Sequence, residues 1–328
     1  MGWDSVPWFT EGGAEHSSEV ARLLAYAAFG GAEGIVGSAD LQVRALSTPG
    51  SAVQIYSGAC AITNRASGSA YQSYAARMPV AEQVPIAATG VAARSDLIVA
   101  RIENPNSYGE TWPNPANPRT GPYVFTRVIS NVPKTTTRVS QVRSSDSAIA
   151  LARIDIPANT TAITAAMIKD LRSMVSPRRD RRLFTGFPPA LSSLTYSDNK
   201  WHNWPAEPAR WDIDVPTWAT RVKIVTTLAG LRMTRANIFA SMQNVFGSIT
   251  GQDTVIDDDS GTGTRRQTIV LADNLYIAAA LRGTTQRLYL QTYMPKSSSG
   301  DLSVDGGTSI VADVEFVEAP DEEEYRNA

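Results

Sequence analysis

SAIALARIDIPANTTAITAAMIKDLR, residues 147–172, decides the reading of the first half of the chain. Ile149 to Ile156 is a short apolar run with strand character, and Pro157-Ala158-Asn159 supplies a turn. Thr160 to Ile163 then leads into a predicted short helix over 164–175, with Ile168, Leu171 and Val175 on one face. The stretch RSDLIVARI, Arg94 to Ile102, has the same make-up, an apolar strand with an arginine near its end: Arg101 there, Arg153 here. Each arginine either pins the sheet rim through hydrogen bonds to carboxylates and carbonyls or marks where the strand leaves the core.

Working outward, residues 1–13 carry Trp3, Pro7, Trp8 and Phe9 and suit an extended arm that docks its aromatics on its own domain or on a neighbour. From Glu15 to Phe29, Val20, Leu23, Leu24 and Ala27 recur at helical spacing, and Gly30-Gly31 ends the pattern. Between Asp40 and Ile102 short apolar or alternating runs are separated by Pro49-Gly50, Gly58, Gly68 and Gly90, which predicts an antiparallel unit of about five strands. Five prolines between Asn104 and Pro122 surround Trp112 and predict a long surface loop; a strand from Tyr123 to Ile129 follows.

The opening run WDSVPWFTEGGAEHSSEVARLLAYAAFGGAEGIV, together with RSDLIVARI and ARIDIPANTTAITAAMIKDLR, resembles the N-terminal module of minor tail and baseplate proteins of long-tailed actinobacteriophages. That module is related to the upper baseplate proteins of other siphophages. The resemblance covers residues 1 to about 175. It implies a virion protein that attaches to the tail tip or baseplate, assembles as a homotrimer beside other tail proteins, and is made in the host cytoplasm.

In SMVSPRRDRR, Ser173 to Arg182, Pro177 stops the predicted helix and four arginines gather around Asp180. Residues 177–182 read as a basic linker between an attachment module, 1–176, and an outward-facing domain, 183–318, with an acidic tail at 319–328. The second domain reads almost wholly as β, through TRVKIVTTLAGLRM, TRRQTIVLADNLYIAAAL, QRLYLQTYM and TSIVADVEFVEA, although IFASMQNVF, 238–246, also allows helical spacing. The fold class is therefore mainly β: an N-terminal α+β module with an antiparallel sheet and one or two helices, then a C-terminal antiparallel β-sandwich of the jelly-roll kind.

Composition narrows the function. With 328 residues the chain suits two domains, and 43% hydrophobic with 19% charged residues is the balance of a folded protein. Net charge is −2; residues 315–328 hold six acids and one base, so the remainder carries 29 bases and 26 acids, or +3, which does not favour nucleic acid as a partner. No apolar run reaches the roughly 18 residues that cross a bilayer, and Met1 to Phe9 has no basic leader region. The single cysteine, Cys60, allows no intrachain disulfide and lies among apolar neighbours. Two histidines, His16 and His202, offer no paired zinc spacing, and neither a phosphate loop nor a nucleophile elbow is present, so no metal, cofactor or enzymatic activity is expected.

Three clusters remain. Asp253, Asp257, Asp258 and Asp259 lack the alternation of a calcium loop and read as a solvated turn. Asp212 and Asp214 share a strand face, as a glycosidase acid pair might, without a second signal. WHNWPAEPARWDIDVPTW places Trp201, Trp204, Trp211 and Trp218 within 18 residues, with His202, Asn203, Arg210 and Asp212 nearby. Trp201, Trp204, Trp211 and Asn203 are the candidate rim for a host cell-wall glycan; burial of the indoles in a core or interface is the competing reading.

Overall fold

The computed structural model describes residues 10–11, 14–15, 17–107, 109–194, 197–207 and 209–321. The chain forms two compact units, Met1–Ser176 with Pro320–Ala328, and Pro177–Ala319.

In the first unit, α1 (Ser18–Ala28) begins where the Ser17 hydroxyl accepts the Val20 N–H at 3.2 Å. It ends at Gly30 and Gly31, both with left-handed φ, and Gly31 N–H bonds Tyr26 O at 3.0 Å. Glu15, expected in its first turn, pairs instead within a two-residue ribbon, Thr10–Glu11 with Ala14–Glu15. No residue of α1 is buried, so amphipathic spacing here does not mark a core helix.

Three antiparallel sheets make up the rest of the unit. β1 (Gly34–Ile35), β4 (Gly58–Thr63) and β5 (Ser73–Met78) form one; β2 (Val43–Ala45), β3 (Ala52–Ile55) and β6 (Glu82–Pro85) form another. The third runs β8 (Val124–Ile129), β7 (Arg94–Ile102), β9 (Ala148–Ile156), β10 (Ile168–Asp170). Its two central strands are covered on both faces. Ile98, Ala100, Leu151 and Ile154 join the main core, while Leu97, Val99 and Ala148 pack with Val132 and Val139 on the other side. Two covered faces explain why RSDLIVARI and AIALARIDI are continuous apolar runs rather than alternating ones.

The arginines of these strands pin the sheet. Arg153, 5% exposed, grips Asp155 at 2.8 and 2.9 Å and donates to Thr136 O at 3.0 Å. Arg101 bonds Asp146 at 3.1 Å and lies 4.3 Å from the Trp112 ring centre.

The predicted helix over 164–175 is corrected. Ala165–Met167 makes one tight turn, and Ile168–Asp170 pairs with Ala152–Ile154 as the edge strand β10. A segment this short cannot offset helix nucleation when an open strand edge offers immediate backbone partners. Ile168 and Val175 reach the core from this extended path, and Val175 N–H bonds Ile35 O at 2.9 Å.

The second unit opens with a second correction. Arg179 to Arg182, expected in a basic linker, belong to β11 (Arg179–Gly186), paired with Val317 through Ile310. Their charge is matched across the strand pair and along it: Arg181 bonds Asp313, and Arg182 bonds Asp180 at 2.6 Å.

Further strands are β12 (Trp201–Asn203), β13 (Arg210–Asp214), β14 (Arg221–Thr234), β15 (Ile238–Phe246), β16 (Thr254–Asp258), β17 (Arg265–Tyr276), β18 (Thr285–Tyr293), β19 (Asp301–Val304) and β20 (Ser309–Val317). One sheet has the order β11-β20-β14-β17, with β19 also alongside β14. The other has β12 and β13 on one side of β18, then β15, then β16. Taking β12 and β13 as one interrupted strand and leaving out the short β19, the eight positions read 1-8-3-6 and 2-7-4-5. Each successive strand switches sheets except 4 to 5, which are antiparallel neighbours within one sheet, as a jelly roll requires. The 238–246 segment is strand, not helix.

Two apolar clusters fill the sandwich, one around Leu228, Met242, Leu271 and Leu290, the other around Ile224, Phe246, Leu288 and Phe316. Between them in strand position lies a polar staple: Thr226 Oγ1 donates to Asn244 Oδ1 at 2.7 Å, and Asn244 Nδ2 to Asp273 Oδ2 at 2.8 Å.

Candidate functional site

Strand alternation sorts the tryptophan cluster. On β13, Trp211 and Ile213 turn toward the sandwich interior while Arg210, Asp212 and Asp214 face out. Trp204 is 6% exposed within the apolar cluster, its indole Nε1 without a hydrogen-bond partner. Trp211 is half-buried with its ring 6.1 Å from Phe184. Trp218 packs on the second cluster beneath Arg178.

Trp201 differs. It is 38% exposed and sits 5.7 Å from the Tyr293 ring, its cross-strand partner. A rim of three stacking indoles, Trp201, Trp204 and Trp211, is therefore not formed, because burial of the apolar rings decided two of the three positions.

Asn203 does join Trp201 on the outward face, two residues along β12. Its Oδ1 accepts Gln291 Nε2 at 3.0 Å, and Gln291 Oε1 accepts Gln243 Nε2 at 3.0 Å. Asn203, Gln291 and Gln243 are register partners across β12, β18 and β15, so the three amides form one row. Two residues further along β18, Tyr289 faces the same way, opposite Arg210. The amide row was not visible from sequence, since its members are separated by dozens of residues and only the register joins them.

The other carboxylate candidates are engaged by arginines or a hydroxyl. Asp212 takes Arg287 at 2.7 and 3.1 Å, a contact that holds its pKa below the usual carboxylate range, and Asp214 accepts Thr285 Oγ1 at 2.5 Å. Asp212 is therefore not held as a protonated acid. Asp258 is 4% exposed and bonds Arg265 and the Ser260 N–H, each at 2.8 Å, which pulls its pKa down to about 2. No group of three or more potential ligands converges on a metal position among the described residues. In the first unit Cys60 borders a cavity of about 170 Å³ with Leu41, Ile55 and Met78; burial, then the Asp40 charge, pushes its thiol up to about 12, which makes it unreactive.

No family model matches the chain, and no curated protein matches it significantly. Solved structures that overlap it include the VP2 subviral particle of infectious bursal disease virus, at 14% identity over 90% of this chain and 81% of that one, with a TM-score of 0.25. The Gx strain of the same virus overlaps at 12% identity over 90% and 82%, with a TM-score of 0.27. An insecticidal delta-endotoxin, Cry8Ea1 from Bacillus thuringiensis, overlaps at 10% identity over 88% and 52%, with a TM-score of 0.21. Overlaps of this quality do not define a common fold, and the jelly-roll assignment rests on the strand pairing alone.

Proposed function

We propose that the chain is a non-enzymatic structural protein of a virion, a minor tail or baseplate component that assembles as a homotrimer and contributes to host attachment. The observation that carries this reading is the strand order of the second unit, 1-8-3-6 facing 2-7-4-5, an architecture that viral coat and lectin domains use to present a rigid face. The sequence resemblance of residues 1–175 to tail and baseplate modules supports the same reading and supplies the tail location. The absence of an enzymatic role is supported by the pairing of Asp212 and Asp258 with arginines, which leaves neither free for acid–base work. In this reading the first unit attaches to neighbouring tail proteins and the second carries recognition of the host surface.

The test has two parts. Light scattering on the full chain at micromolar concentration should give three chain masses. Antibodies against it should label the tail tip of the particles in which it occurs. A stable monomer removes the trimer, and labelling confined to the head removes the tail assignment.

A further inference from the structure

We propose that the outward face of the β12-β18-β15 sheet binds a neutral saccharide, with Trp201 and Tyr293 as the stacking pair and Asn203, Gln291 and Gln243 as the row that reads hydroxyls. The proposal deepens the virion reading by naming the ligand class, but the site stands on the second unit alone.

Sugar hydroxyls both donate and accept, while the C–H faces of the ring are apolar. A complementary surface therefore needs groups that do both, beside an exposed aromatic plane. Carboxamides are such groups, carrying two N–H donors and a carbonyl acceptor without charge. The ladder uses one N–H each of Gln243 and Gln291, leaving the second N–H of Gln291 and the whole Asn203 amide nitrogen without partners among the described residues. Asn203 is exposed and Gln291 half-exposed, so both are within reach of a ligand.

Gln243 is 7% exposed and anchors the row from the middle of the sheet, so the outer amides are oriented before any ligand arrives. Strand geometry sets the spacing. Trp201 and Tyr293 lie two residues from the amide row on one side and Tyr289 lies two residues from it on the other, about 7 Å each way. Two aromatic positions about 13 Å apart with amides between them match a ligand of disaccharide size or slightly more.

Charge on this face is confined to its border, where Arg287 pairs with Asp212 and Arg210 stands 3.9 Å from Glu207. The centre is neutral, which favours an uncharged sugar over an acidic one.

The full chain should be applied to a printed array of neutral di- to tetrasaccharides, and any glycan retained should be titrated against Trp201→Ala, Asn203→Ala and Gln291→Ala. Leu183→Ala, on the outward face of the other sheet, serves as control. The expected result is retention of a neutral glycan, with each of the three variants binding about tenfold more weakly or worse, the control unchanged, and melting curves superimposable. If Trp201→Ala unfolds, the two amide variants decide, since neither side chain is in a core. The proposal is overturned if no neutral glycan is retained, if binding survives the amide substitutions, or if only acidic sugars bind. None of these outcomes touches the trimer or the tail-tip labelling, so the site can fail while the virion reading stands.

Discussion

Arginine and an acid two residues apart recur through both units: within one strand as Arg94 with Asp96, Arg153 with Asp155 and Asp180 with Arg182, and at the end of β10 as Asp170 with Arg172 just beyond it. Alternation puts residues i and i+2 on the same face, so a single strand orients its own guanidinium with its own carboxylate. Arg172 is the extreme case, its side chain fully buried, holding Asp170 at 2.6 Å and donating to Asp40 O at 2.7 Å and Ser38 O at 3.3 Å. Arg172→Met fills the space but takes a donor from a poorly solvated carboxylate and from three carbonyls, those of Ser38, Asp40 and Asp321. The expected cost is about 3–5 kcal/mol, read from urea midpoints. Asp258 gives a pH prediction. Its pKa is about 2 folded against 3.8 for a free side chain, so the folded state prefers it ionised. That stability is complete above about pH 4 and is lost as the pH falls toward 2. In thermal melts across that window, Asp258→Asn should show a shallower acid decline than the parent chain; an unchanged slope would show that Asp258 does not contribute it.

At the scale of elements, a bulge in β14 between Ala229 and Leu231 centres on Gly230, at φ +79. A Cβ there would lie 2.6 Å from Gly307 O, so Gly230→Ala combines left-handed strain with a backbone clash. A loss of about 1–3 kcal/mol is expected in denaturant melts, and a neutral effect would mean the bulge relaxes freely. Which elements were legible in sequence follows from the same physics. Strands with one wet face, such as β14 with its alternating burial, announce themselves by period two. The jelly-roll character of the second half was readable from such runs and their polar turns. The 164–175 segment was misread because apolar residues three and four apart fit a helix and a bent extended path equally, and only the open edge of β9 decides between them. The basic stretch 178–182 was misread because its neutralising partners, Asp313, Glu315 and Glu318, lie more than a hundred residues away. The candidate site was half legible: Trp201 and Asn203 stand on an exposed face, but burial took Trp204 and Trp211, and Tyr293, Gln291 and Gln243 arrive by register alone.

The whole chain is not a simple succession of two halves, because the path leaves the first unit at Ser176 and rejoins it at Pro320. The returning residue Asp321 donates its N–H to Ser38 O at 2.9 Å, and its carbonyl accepts Gln42 Nε2 at 3.2 Å and Arg172 Nη2 at 3.4 Å. Gln42 is 4% exposed, so its amide has little access to water as a substitute partner. Ending the chain at Ala319 therefore weakens a unit that lies almost entirely more than 140 residues upstream, by about 2–3 kcal/mol for the hydrogen bonds removed. Thr220 Oγ1 still holds Ala319 O at 2.9 Å, and the second unit keeps both of its apolar clusters. Hydrogen exchange separates the two responses. In the shortened chain, amides of β1 and β2 should lose protection relative to the parent, while those of β14 and β18 keep it. Equal loss in both units would mean that the second also depends on the C-terminal residues, and no loss in either would mean that the contacts of Asp321 contribute nothing to stability.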